Sequence, residues 1–112
     1  MGNFLDEKDA MARLGSNKRL YATLLKKFNG NAMLEELKNK LAEGDADALQ
    51  AQAHTIKGLA ANLSLQDLKE KSEAIESAVK NSGSTEGIDI SEITVSITAT
   101  NEAVSNWLSE NA

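Results

Sequence analysis

The chain has 112 residues, of which 41% are hydrophobic and 26% are charged, and this size and composition fit a single domain with one core, spanning residues 1–112. It contains neither cysteine nor proline, which excludes disulfides and thiolate metal sites. The net charge of −5 argues against nucleic acid as a partner, because nucleic-acid binding needs a basic surface. No apolar run approaches the roughly 18 residues that a membrane span requires, so we expect no direct membrane contact.

Start and stop signals predict three helices in the first part of the chain. Asp6 opens a short first helix, and either Ser16 or Asn17 opens a second one. An Asn-Gly-Asn break at residues 29–31 precedes a third helix, which stops at Gly44.

Two longer helices follow, with apolar residues at spacings of three and four. Asp45 is the predicted N-cap of the fourth helix. Ser64 is the predicted N-cap of the fifth, with Asp67 at its third helical position, and this helix fades into a loop at residues 81–84. The predicted core stripes are Leu49, Ala53, Ile56, Ala60 and Leu63 on the fourth helix, and Leu65, Leu68, Ser72, Ile75 and Val79 on the fifth.

The last segment carries two conflicting signals. Residues 93–99 alternate between apolar and polar and are rich in β-branched side chains, which is typical of a strand. However, Asp89 and Glu92 have the spacing of a capping box, and a lone strand would have nothing to pair with. We therefore predict a helix here. The whole pattern predicts an all-α fold, an antiparallel up-and-down four-helix bundle with additional N-terminal helical structure.

The only histidine of the sequence, His54, lies in the middle of the predicted fourth helix. Lys57 and Gly58 follow at spacings of three and four, so the three residues are neighbours on the helix surface. His54 lies about 140° and Gly58 about 180° from the centre of the apolar stripe, and both should face solvent. A glycine inside a helix costs about 1 kcal/mol relative to alanine. We interpret Gly58 as a position where another protein approaches the helix backbone.

The segment from Ala53 to Leu63 resembles the signature of histidine-containing phosphotransfer (HPt) domains of two-component phosphorelays. That signature runs alanine, histidine, serine or threonine, an aliphatic residue, lysine and glycine, and then small residues and Asn-Leu. The resemblance extends over about residues 5–80. One departure is Ser64, where the family commonly has glycine, but it does not affect the interpretation of His54.

The resemblance implies a phosphoryl carrier in a phosphorelay. His54 would accept and donate a phosphoryl group, exchanged with aspartates of response-regulator receiver domains, and its outward Nε2 would be the modified nitrogen. Lys57 would offset the negative charge of that group. No cofactor or metal is implied. Because the chain has no glycine-rich nucleotide loop, we expect no autonomous kinase activity, even if it belongs to a histidine kinase.

The same resemblance implies where the domain works and how it meets its partner. We expect a cytoplasmic monomer, and the pattern resembles the HPt domain at the C-terminal end of a membrane-anchored hybrid sensor kinase more than a free-standing carrier. The receiver should dock on the helix that carries the histidine. The predicted partner-binding residues, which surround His54 on the helical wheel, are Gln50, Ala51, Lys57, Gly58 and Ala61.

Other classes of function fail on the residues available. One histidine, no cysteine and scattered carboxylates do not make a metal site. A nucleophilic triad needs a serine or cysteine beside a base, and the motif around His54 provides none. A hydrolase with paired carboxylates needs a cleft, for which a small bundle packed with aliphatic side chains offers little room. The remaining alternative is a non-catalytic helical interaction or adaptor module in which His54 is an incidental surface residue.

Overall fold

The computed structural model describes residues 4–111, and within that range the chain forms six helices and no strand. The helices are α1 (Glu7–Arg13), α2 (Lys18–Lys26), α3 (Gly30–Glu43), α4 (Ala46–Asn62), α5 (Gln66–Ser82) and α6 (Ser91–Asn111). Helices α3 to α6 form a closed ring in which each packs on the next and α6 packs on α3. Their short connections make neighbours antiparallel. The predicted all-α bundle with additional N-terminal helical structure is confirmed.

Side-chain caps start four of the helices, three of them at predicted residues, while α3 begins at Gly30, inside the predicted break. Asp6, Asn17, Asn29 and Asp45 each accept a hydrogen bond from the backbone N–H three residues further along, at 3.0–3.1 Å. Each cap satisfies a backbone donor that the first turn of a helix would otherwise leave free. At the other end of α3, Gly44 has a φ of 71°, a left-handed conformation that glycine adopts without steric cost.

The predicted core stripes of α4 and α5 are confirmed, since all ten residues are buried. The N-terminal helices add Tyr21, which is fully buried and donates its hydroxyl to the backbone carbonyl of Leu63 at 2.6 Å. Trp107 of α6 packs edge-on against Tyr21, with ring centroids 5.0 Å apart, and its indole N–H donates to Glu7 at 2.8 Å. These contacts attach α1 and α2 to the bundle.

The predicted N-cap role of Ser64 is wrong. Ser64 has a φ of 57°, in the left-handed region, and Leu65 is the residue before α5, without a side-chain cap. The Ser64 hydroxyl donates instead to the Asp9 carboxylate of α1 at 2.6 Å. The hydrogen bonds from Ser64 and Arg13 lower the pKa of Asp9. A left-handed conformation at this turn gives a physical reason for the glycine that HPt domains commonly have there.

The last segment is a helix, as predicted, although it does not begin with the predicted capping box. The Asp89 carboxylate accepts from the backbone N–H of Ser91 at 2.8 Å, one residue earlier than that motif requires. The hydroxyls of Thr94 and Thr98 each donate to the carbonyl four residues before them, a bond that threonine can make within a helix. Among residues 4–111, no helix is both long and apolar enough to cross a membrane.

Candidate functional site

His54 lies on the outward face of α4, as its position relative to the apolar stripe predicts. The buried neighbours Ala53 and Ile56 orient the helix, and the His54 side chain remains 66% exposed. Helix α5 packs along the same helix, joined to it by the tight turn at residues 63–65. The histidine is therefore accessible to another protein while its helix is fixed in the core.

A carboxylate from α5 joins the two polar residues of the motif. One oxygen of Glu76, Oε2, lies 2.8 Å from Nδ1 of His54, and the other, Oε1, lies 2.7 Å from Nζ of Lys57. The Glu76 side chain is only 18% exposed and that of Lys57 is 27% exposed. The imidazole, the ammonium and the carboxylate thus form one small cluster, with the carboxylate in the middle.

Lys57 and Glu76 each stabilise the charged form of the other. The hydrogen bond from Lys57 lowers the pKa of Glu76, with a further contribution from His54, and that same contact with Glu76 raises the pKa of Lys57. An ionised carboxylate only accepts hydrogen bonds, so Nδ1 of the neutral imidazole must carry the proton that it donates to Glu76. This arrangement leaves the lone pair on Nε2, the nitrogen opposite the carboxylate, free to act as a nucleophile.

Gly58 is exposed, and no contact within the chain explains why this residue is a glycine. A Cβ atom built at this position would meet nothing within 4 Å. An alanine would therefore fit, and it would favour the helix. The empty space above Gly58 lies on the same face of α4 as His54, four residues away.

Comparison with known proteins identifies the family. The family described as Hpt domain matches residues 29–107. The chain belongs to the Hpt domain family. The crystal structure of the HPT domain from the Hpt sensor hybrid histidine kinase of Shewanella is similar in fold, with a TM-score of 0.85 and 20% sequence identity over 96% of each chain. The search of curated proteins gives no match. The chain accordingly has a phosphotransfer role in two-component signalling, in which Hpt domains interact with response-regulator receivers and are not themselves kinases.

The match to the Hpt family extends differently along the chain from the resemblance seen in the sequence. It begins at residue 29, after α2, and continues into α6 as far as residue 107. The part of the resemblance that covers residues 5–28 therefore lies outside the matched segment, although the fold similarity covers almost the whole chain.

In this protein, the predicted site residues all lie on one face of α4. Ala51 and Gly58 are exposed, whereas Gln50, Lys57 and Ala61 are half-buried. A shallow depression beside the histidine is lined by Asp47, Gln50, Ala51, His54, Thr55 and Glu76. Among residues 4–111, no three acidic or histidine side chains are grouped closely enough to hold a metal ion.

Sequence reasoning missed Glu76, and one signal could have found it. Residues 63–65 form a tight turn between antiparallel helices, so residues equally far from Leu65 lie at the same level. His54 and Glu76 are each eleven residues from Leu65. The same rule places Lys80 level with Gln50, one turn from Glu76 on α5.

Proposed function

We propose that this Hpt domain carries a phosphoryl group on Nε2 of His54, accepting it from and returning it to the aspartate of a response-regulator receiver domain. The single observation that supports this most is the contact between Nδ1 of His54 and the Glu76 carboxylate, made by an imidazole that is otherwise exposed. It holds the proton on the inner nitrogen and presents the outer nitrogen to a partner.

The transfer step balances without a further reactant. The Nε2 lone pair attacks the phosphorus of the aspartyl phosphate, the bond from phosphorus to the aspartate oxygen breaks, and its electron pair returns to the carboxylate. The imidazole becomes a phosphorylated cation, and its Nδ1 proton stays hydrogen-bonded to Glu76, which offsets the new positive charge. The reverse step restores the neutral ring. Positioning and charge neutralisation account for most of the catalysis in such transfers.

Lys57 assists this chemistry and is not the reacting group. Its ammonium is bound to Glu76 in the unmodified protein, three residues from the histidine on the same helix. A phosphoryl group on His54 brings about two negative charges, and a lysine one turn away can offset part of them. Replacing Lys57 with alanine should slow transfer and leave some activity, since the nucleophile remains.

The receiver docks on the exposed face of α4. Ala51 and Gly58 are small, which favours the close approach of a second protein, and Gln50, Lys57 and Ala61 complete the predicted surface around the histidine. We expect a transient interface near the lower end of the usual range, about 1,200 Å² in total. NMR shift mapping with a receiver would test this placement. Shifts centred on residues 104–108 of α6 would show that the docking face is wrong.

The decisive test is the variant His54→Gln. Because the side chain is largely exposed, the fold and the melting temperature should change little, while phosphoryl transfer should be lost. The wild-type protein incubated with a phosphorylated receiver should gain a phosphate that is labile in acid and stable in base, as phosphohistidine is. Retained transfer in the variant would contradict the proposal and favour the adaptor alternative. With ATP alone, the purified domain should incorporate no label.

A further inference from the structure

The second helix carries positive charge on an otherwise acidic domain. Residues 17–34, which include α2, hold four lysines and arginines and no acidic residue, whereas the remainder of the chain holds eight basic and seventeen acidic residues. All four basic residues are exposed. Lys18 pairs with Glu7 at 3.8 Å, but Arg19, Lys26 and Lys27 form no ion pair among the residues described. The charge of these three side chains is available to a partner.

An apolar depression adjoins this basic helix, between α1, α2 and the end of α4. Leu59, which lines it, is 37% exposed, and Leu20, one turn before the lining residue Leu24 on α2, is 41% exposed. The depression is lined by Arg13, Leu14, Leu24, Lys27, Leu59, Asn62 and Leu63. It therefore combines apolar walls with positive charge at its edge, from Arg13 and Lys27.

The depression adjoins the proposed docking face on the side of Gly58. Asn62, which lines the depression, is four residues from Gly58 and lies on the same side of α4. Leu59 follows Gly58 directly and lies about 140° around the helix from His54. A receiver that brings its aspartate to His54 and covers Gly58 would therefore reach the depression and the basic helix beside it. An anionic membrane bound at the same face would obstruct that approach, so a protein partner is favoured.

We propose that the basic face of α2 and the apolar depression beside it select receiver domains whose docking surface is an apolar patch bordered by acidic side chains. This inference rests on the proposed function, since it requires a receiver at His54. The positive charge attracts the acidic border during encounter, and the leucines bury the apolar patch. The charge therefore affects the rate of association more than it affects the rate of the chemical step.

The test compares charge reversal on α2 with the same reversal on α3. Purified phosphorylated receiver domains are screened for transfer to the Hpt domain, and kcat and KM are measured for each that reacts. Lys27→Glu should raise KM about tenfold at low salt and leave kcat unchanged. Adding Lys26→Glu should raise it further. The effect should fade towards 1 M salt, where the Debye length is only about 3 Å. Lys38→Glu, at an exposed position of α3, should have little effect.

Two further measurements keep the outcomes separate. A glutamate at the end of α2 is unfavourable to the helix, so Lys27→Gln serves as a second variant with a smaller expected rise in KM. Phosphorylation of His54 by phosphoramidate, a small donor, should be the same in all these variants. Equal effects of Lys27→Glu and Lys38→Glu would overturn the inference. The inference would also be overturned if Lys27→Glu left KM unchanged but abolished binding of the Hpt domain to vesicles of equal parts phosphatidylcholine and phosphatidylglycerol. That outcome would identify an anionic membrane, and not a receiver, as the ligand of the basic face. If no receiver and no phosphoramidate modified His54, the proposed function would fail, and this inference with it.

Discussion

Replacing Glu76 with glutamine tests whether the shared carboxylate prepares His54 for attack. Glutamine has nearly the same shape, but it offers one acceptor oxygen and one donor nitrogen in place of two acceptors. With its oxygen towards Nδ1, it turns its NH2 group towards the ammonium of Lys57, which cannot accept a hydrogen bond. With its oxygen towards Lys57, it donates to Nδ1 and moves the imidazole proton to Nε2. The first arrangement loses the contact with Lys57, whereas the second keeps both contacts but places the proton on Nε2 and so removes the nucleophile.

The size of the effect follows from the geometry of the contact. Hydrogen bonds to charged groups contribute about 1.5–3 kcal/mol. The ring of His54 is 66% exposed, so water screens the 2.8 Å contact with Glu76 and the lower end of this range applies. Since about 1.4 kcal/mol corresponds to a factor of ten, we expect Glu76→Gln to transfer phosphate roughly tenfold more slowly at saturating receiver.

Rapid-quench measurement with a labelled receiver gives the transfer rate, and ¹⁵N NMR of the imidazole reports the tautomer. The wild-type ring should carry its proton on Nδ1, and the variant should show a mixture of both tautomers. Glu70→Gln, which removes the same charge at an exposed position of α5, is the matched control and should transfer normally. An unchanged rate in Glu76→Gln, with the proton still on Nδ1, would refute the reasoning.

Substitutions at three other positions, Gly58, Ser64 and Asp9, have expected results. Gly58→Ala should raise the free energy of unfolding by about 0.5–1 kcal/mol, because its Cβ has open space, yet slow transfer from a receiver. Gly58→Glu should slow transfer further, and an equal effect of Ser105→Glu, at an exposed position across the bundle on α6, would count against the docking face. In urea unfolding, Ser64→Ala should be less stable than Ser64→Gly by about 1 kcal/mol, since both lose the bond to Asp9 but only glycine relaxes the left-handed backbone. Because folding lowers the pKa of Asp9 from its usual 3.8, the stability that this carboxylate adds is present above that value and is lost as the pH falls through the lower folded pKa. The melting-temperature difference between wild type and Asp9→Asn should therefore stay constant from about pH 7 to 5 and shrink in stronger acid. A difference that persisted below the folded pKa would contradict this assignment.

The features that the sequence predicted correctly depend on local signals. Gly44 and Asp45 end one helix and start the next through their own backbone and side chain, whatever the rest of the chain does. The spacing of Ala53 and Ile56 fixes the buried face of α4 and, by the same wheel, the exposure of His54. Helix periodicity therefore predicted both the bundle and the position of its histidine.

The features that it missed depend on contacts between distant residues. Ser64 adopts a left-handed turn and does not cap a helix, and its hydroxyl donates a hydrogen bond to Asp9, which is 55 residues away in the sequence. Glu76 is 22 residues from His54 in the sequence, and the two side chains come into contact only because α4 and α5 pack in a particular register. The charge on α2 was visible in the sequence, but its position beside Leu59 is a property of the folded chain.

The buried hydroxyl of Tyr21 has a practical consequence for where such a domain can be cut. Its partner is the carbonyl of Leu63, at the end of the helix that carries the histidine, and its ring covers Trp107. A shortened protein that begins at residue 29 and stops at 107, as the family match would suggest, would lack that ring and leave a buried carbonyl without its donor. An unpaired buried acceptor costs about 1–3 kcal/mol, in addition to the apolar surface uncovered. Recombinant versions and domain fusions should therefore keep the two N-terminal helices, although family similarity does not mark them.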